Sequence, residues 1–243
     1  MQKILFLITI ALISSNFSHG AHLKGGWIQY EYLGAGAAPN TSKYRITIRQ
    51  YLLCSSSAAQ IDPHVSLGIF DAGTNALDTL LTVDSVANGS VILNKTSYNP
   101  CLTNRPPVCY LINKYVTIVD LPDNDAGYTL AVQRCCRIGG IVNVDSSAFV
   151  GITYSNKIPG GIYRNNNSPS FVQKDTVLVC YNENFTFDFG ATDADGDSLA
   201  YSFCDGLAGG SSNNPSPNPP SNPPFTSIPY SFPLLEVLRL GQV

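Results

Sequence analysis

From residue 26 onward this chain repeats one pattern. Short runs that read as β-strand are separated by turn material, and no stretch holds a convincing helical period. The strand-like runs are Gly26 to Leu33, Tyr44 to Leu53, Val65 to Phe70, Asn113 to Asp120, Tyr128 to Cys135 and Ala148 to Tyr154. Gly34 to Pro39, Asp71 to Gly73, Leu121 to Asp125 and Pro159 to Gly161 punctuate them. Gly, Pro, Asn and Asp favour such turns through positive φ, fixed φ or side-chain bonds to nearby backbone. Short strands at this spacing predict a sandwich. The fold class expected is all-β: an immunoglobulin-like β-sandwich followed by a second, incomplete β-sandwich domain. Thirteen tyrosines and a single methionine agree with strands over helices.

The first residues read as an export signal. Met1-Gln2-Lys3 is a positive start, Ile4 to Ile13 is apolar apart from Thr9, and Ser14 to Gly20 is polar with small residues. That pattern is a secretory signal peptide over residues 1–20, cut after Gly20 or Ala21. The apolar run is too short for a span of about 20 residues. No second long apolar run exists, so no membrane span is expected after cleavage. Cleavage removes Lys3 and leaves 13 basic against 17 acidic residues. This weak negative balance argues against nucleic acid as a partner, which calls for a basic patch. Low charge, 13% of residues, is unusual for a cytosolic enzyme. The location expected is secreted or at the cell surface.

Seven cysteines in an exported chain predict disulfides. They are Cys54, Cys101, Cys109, Cys135, Cys136, Cys180 and Cys204. An odd count leaves at least one without an intramolecular partner. Zinc would call for clustered ligands such as C-x₂-C pairs, and none occur. Cys135 and Cys136 are read on a strand, where neighbours point to opposite faces. They are therefore expected to take different partners, with Cys54 a partner for one of them. Cys101 and Cys109 are expected to pair with each other or with a strand cysteine.

The segment Ala191-Thr-Asp-Ala-Asp-Gly-Asp-Ser-Leu-Ala-Tyr-Ser-Phe203 sets Asp193, Asp195 and Asp197 at alternate positions around one glycine, ahead of a strand-like Leu199 to Phe203. Such carboxylates can supply hard oxygens to Ca²⁺, which takes six to eight. The loop is not an EF-hand: Ser198 stands where Gly is wanted and Cys204 where Glu is wanted. The competing reading is a polar turn whose carboxylates cap backbone amides.

Asn165 to Pro169 reads as an inter-domain joint, giving a sandwich over 21–164, a linker over 165–175 and a partial immunoglobulin-like or cadherin-like domain over 176–243. Further strands are expected at Thr176 to Cys180 and Phe185 to Phe189. Gly206 to Pro224 is rich in Pro, Ser, Asn and Gly and reads as a solvated loop.

Several motifs in order carry a resemblance. His22-Leu-Lys-Gly-Gly26, Tyr44-Arg-Ile-Thr-Ile-Arg-Gln-Tyr-Leu-Leu-Cys54, Pro100-Cys-Leu with Pro106-Pro-Val-Cys109, Val132-Gln-Arg-Cys-Cys-Arg137 and the acidic segment through Cys204 resemble a family of large secreted Bacteroidetes proteins. Its members are described as gliding-motility-associated or PKD-type, and are type IX secretion substrates. The resemblance covers roughly residues 21–230. It implies further immunoglobulin-like modules and a C-terminal sorting domain in relatives. It also implies that Leu234 to Val243 replaces a glycine- and serine-rich continuation. One choice of codons for Leu235 to Val243, read one base over, encodes Gly-Ser-Ser-Pro-Leu-Gly-Ala-Gly, so a frameshift truncation is the expectation here.

Catalytic signatures are thin. Only His22 and His64 follow the signal, Asp62-Pro-His64 has no G-x-S-x-G elbow with it, and oxidised cysteines cannot attack. The mature glutamates are Glu31, Glu183 and Glu236. The expected role is a non-catalytic structural or adhesion module binding cell-surface proteins or glycans. The alternative is a carbohydrate-binding accessory domain or a glycan-active hydrolase. Trp27, the one tryptophan, is read as core rather than as a platform for sugars.

Overall fold

The computed structural model describes residues 23–54, 61–87, 89–94, 109–172, 184, 186 and 188–231. The signal segment, His22, Cys101, Cys180, the strand expected at Thr176 to Cys180, Phe185 and Phe187 of that at Phe185 to Phe189, and Leu234 to Val243 lie outside the described residues.

Eight strands build two antiparallel sheets. They are β1 (Leu23–Ala35), β2 (Thr41–Leu53), β3 (His64–Asp71), β4 (Leu77–Asp84), β5 (Val91–Asn94), β6 (Cys109–Pro122), β7 (Tyr128–Arg134) and β8 (Ile152–Ile158). The first sheet runs β1-β2-β6-β5 and the second β4-β3-β7-β8. In immunoglobulin letters these are A-B-E-D and C′-C-F-G, so the chain is an immunoglobulin-like sandwich with one strand, β4, added beside C. A short pair, β9 (Ser170–Phe171) and β10 (Ala191–Thr192), follows.

Strand β2 shows why these residues fold this way. Its side chains alternate strictly, with Tyr44, Ile46, Ile48 and Leu52 buried and Lys43, Arg45, Thr47 and Arg49 less so. Period-two alternation puts one file on each face. The inward file meets Leu67 and Ile69 of β3, Leu130 and Val132 of β7, and Ile152, Tyr154 and Ile158 of β8 in one core. β4 and β5 are additional to the strands expected from sequence. β4 is an edge strand with one buried residue, Val83, and β5 has four residues, so neither carries a strong apolar signal. β8 starts four residues later than expected, because residues 147–149 form a single 3₁₀ turn.

A polar cluster is built into one end of the core. Gln50 and Asn113 are fully buried. The Tyr115 hydroxyl donates to Gln50 Oε1 or to the Asp62 carbonyl, at 3.2 and 3.0 Å, and accepts from Asn113 Nδ2. The Asp62 carboxylate takes a fork from Arg134, Nε at 2.6 Å and Nη2 at 2.9 Å.

Burial raises several phenol pKa values. It pushes Tyr44 and Tyr128 up to about 12, and raises Tyr115 and Tyr154 as well. Below the ordinary tyrosine pKa of about 10, folded and unfolded chains hold the same protons. Above it the unfolded chain releases protons that the folded chain keeps, so stability falls from about pH 10 and continues to fall through about pH 12. Phenolate absorbance should therefore rise in a cooperative step, together with loss of the circular dichroism of the sheets. Gradual ionisation of all tyrosines with the dichroism intact would contradict this.

Two expectations about organisation are corrected. The Pro-rich segment is largely exposed and lies in no named strand, as a loop should, but it packs on the first unit rather than extending a second domain. Residues 206–231 cross back over the outer face of the second sheet as a strap. Thr153 N donates to Leu207 O at 3.1 Å, Cys135 N to Pro215 O at 2.8 Å, and Gln133 exchanges bonds with Ser221. Pro220 is buried beside Gly68. The strap lies on Gln133 and Thr153, which bond Ser221 and Ala208, and so covers outward-facing residues of β7 and β8. Residues 206–231 thus belong to the first unit and not to a domain over 176–243. Nor is 165–175 a plain linker. Ser168 N donates to Tyr30 O and Tyr30 N to Ser168 Oγ, while Tyr32 N donates to Asn167 Oδ1, so this stretch caps the free edge of β1.

Candidate binding face of the first sheet

Strand parity decides which residues can meet a partner. Ile28 and Tyr30 are buried in the core, so Trp27, Gln29 and Glu31 point outward. Trp27 is therefore not a core residue, as expected from sequence, but stands half-buried on the outer face. Two adjacent apolar residues cannot both face one side of a strand, and Gln29 and Glu31 share the parity of Trp27. That signal was available in the sequence.

The register builds the rest. Trp27 lies opposite Arg49, and Arg49 opposite Lys114. Trp27 Nε1 donates to the Tyr51 hydroxyl at 3.1 Å. The Arg49 guanidinium carbon lies 5.7 Å from the Trp27 ring centre and 5.5 Å from that of Tyr51, a cation–π arrangement. Lys24 Nζ sits 4.1 Å from the Tyr110 ring centre, and burial holds its ammonium below the usual lysine value. Two rows further along, Arg45 bonds Glu31 at 2.5 Å.

The capping stretch raises a wall beside this face. Gln29 Nε2 donates to Pro169 O at 3.0 Å and to Ser170 Oγ at 3.2 Å. Between wall and sheet lies a cleft of about 450 Å³ lined by Trp27, Gln29, Arg49, Pro169, Ser170 and Phe171. A second depression of about 300 Å³ continues past Gln29 and Ser170 to Thr47, Glu31 and Arg45. The two form one groove along β1 and β2. Neither Arg49, Tyr51 nor Phe171 was singled out in the sequence, because their meeting depends on register and on the return of residues 166–171.

The acidic turn borders the far depression of this groove, where Ala194 is part of the lining. Asp193 Oδ1 accepts the amides of Asp195 and Asp197 at 2.9 and 3.1 Å. Asp195 accepts Asn167 N at 2.6 Å and Asn167 Nδ2 at 2.8 Å. Carboxylate oxygens of Asp193, Asp195 and Asp197 lie within 4.8 Å of one another. Two of the three thus serve the turn and its docking on the capping stretch. Among the described residues, Leu199 to Phe203 is in no strand, and Tyr201 and Phe203 are 56% and 70% exposed.

The cysteines bring two corrections. Cys54 bonds Cys109, not Cys135 or Cys136. Cys135 and Cys136 bond each other. β7 ends at Arg134, so the two are not on a strand and the opposite-face rule does not govern them. Cys204 is free and exposed. Asp62 does not orient His64, since Arg134 occupies its carboxylate.

No family model matches the chain, and no curated protein or solved structure matches it.

Proposed function

We propose that this chain is a non-catalytic secreted or cell-surface module with a structural and adhesive role, of the kind its resemblance to gliding-motility-associated surface proteins implies. One observation carries the reading. The inner faces of both sheets form the core and the strap covers the outer face of the second, while the outer face of the first carries an open groove with Trp27, Arg49 and Tyr51 beside it. Aromatic and arginine side chains on a rigid sheet suit recognition, since they offer large contact at low entropic cost. Partners in this reading are cell-surface proteins or glycans. Ca²⁺ enters it as an accessory at Asp193, Asp195 and Asp197, where it would offset the repulsion of three close carboxylates.

Two measurements test the proposal. Protease shaving of intact cells should release peptides of this chain. The mature protein on an array of glycans and surface proteins, run with Ca²⁺ and with EDTA, should show retention without turnover of chromogenic glycosides. A chain confined to the cytoplasm, or turnover abolished by one carboxylate substitution, overturns it.

A further inference from the structure

We propose that the groove between β1 and residues 168–171 binds a neutral, straight-chain polysaccharide, with one sugar ring held between Trp27 and Phe171. The inference rests on the adhesive reading above and names its ligand class. Shape, charge and hydrogen-bonding chemistry point to it.

The two depressions adjoin end to end and share Gln29 and Ser170, so the groove suits a chain rather than a compact molecule. Each volume lies in the range of small-ligand clefts, about 300–1,000 Å³. Gln29 lies opposite Thr47 and Glu31 opposite Arg45, so the groove keeps a straight course along β1 and β2. A β-1,4-linked glycan is a straight ribbon and follows such a course. An α-1,4-linked glycan curls away from it.

Charge excludes the ionic alternatives. Among the described residues that line the groove, the charged ones are Glu31, Arg45 and Arg49. Glu31 and Arg45 are bonded to each other, and Arg49 lies over the rings of Trp27 and Tyr51. At the far end Ala194 brings up the acidic turn, whose Asp195 is tied to Asn167. An anionic chain would run toward these carboxylates, and a cationic one would run over Arg49. A neutral chain meets neither cost.

The uncharged lining matches a sugar. Trp27 and Phe171 offer ring faces. Gln29 Nε2 is spent on the wall, which leaves its carbonyl oxygen to accept from a sugar hydroxyl. The Ser170 hydroxyl accepts from Gln29 and keeps its proton to donate, and Thr47 adds a hydroxyl further along. Sugars present an apolar ring face and a rim of hydroxyls, the complement of this set. An extended peptide needs an open strand edge for its main chain. That of β1 is taken: Ile28 O, Tyr30 N and O, and Tyr32 N are bonded to Asn156, Ser168 and Asn167.

Trp27 is the sole tryptophan and walls the cleft, so its fluorescence reports on the ligand directly. At least one of cellohexaose, xylohexaose and mannohexaose, titrated into the mature protein, should change that fluorescence saturably. Added salt should leave the affinity unchanged, since no ion pair forms. Maltohexaose should bind about tenfold more weakly, because a curled chain reaches only one depression. Phe171 is 68% exposed, so Phe171→Ala should leave the fold intact by circular dichroism and weaken binding about fivefold. Thr47→Val keeps the shape and removes the hydroxyl, and should weaken binding about threefold. No saturable change with any of the three straight-chain hexaoses overturns the inference. So does tighter binding of oligogalacturonate, displacement by a Thr-Val repeat peptide, or binding indifferent to both substitutions. A chain that is found outside cells and captures a protein partner, but no neutral glycan, fails this inference and leaves the adhesive reading standing.

Discussion

Removing the Cys54–Cys109 cross-link, by Cys54→Ser together with Cys109→Ser, should lower the unfolding free energy by about 3–4 kcal/mol. The figure follows from where the bond sits. Cys54 comes directly after β2 and Cys109 opens β6, and the two strands pair along their whole length up to Leu53 and Tyr110. The cross-link therefore adds little to the folded sheet. Its separation of 55 residues encloses β3, β4 and β5, which all lie between two ends that the unfolded chain would otherwise let wander. Closing a loop of that length in the unfolded ensemble costs entropy that the folded state has already lost. A chain of this size should lose roughly 10 °C in melting temperature as a result. Calorimetry of the double variant against the oxidised parent measures it. A loss below about 1 kcal/mol would mean that the unfolded loop is already restrained, and the chain-entropy account would fail.

The same bond illustrates what the sequence could and could not reveal. Strands were legible wherever one face is buried and the other wet, as in β2, because alternation records burial. They were illegible where burial is absent, as in β4 and β5. Disulfide partners were not legible at all. Cys54 and Cys109 are neighbours only because β2 and β6 pair across three intervening strands. Reading Cys135 and Cys136 as strand residues placed the end of β7 one residue too late, and that single residue reversed the expected pairing. Half of the candidate binding face could be read, since parity alone separates Trp27 from Ile28. The other half, the wall at Pro169 to Phe171, depends on a return that composition presents as a linker.

The strap has the strongest consequence for how the chain is divided. Gly151 packs against the backbone of Gly209, and a Cβ at Gly151 would collide with the Gly209 carbonyl. The obstacle is main chain on both sides, so no side-chain rotation relieves it. Gly151→Val should push the strap away from β8. Its hydrogen bonds from Thr153 N to Leu207 O and from Arg137 Nη2 to Leu207 O would go with it. Overpacking of this kind, with buried donors left unpaired, costs about 2–4 kcal/mol. The loss should be local in character, because the core between the sheets is untouched. Thermolysin should then cut within residues 206–231 much faster than in the parent, while a fragment holding both sheets survives. Trypsin is uninformative there, as this stretch has no Lys or Arg. A valine variant that matches the parent in both stability and cleavage pattern would show that the strap is not held at Gly151. The Pro-rich segment would then return to the second unit, as its composition first suggested.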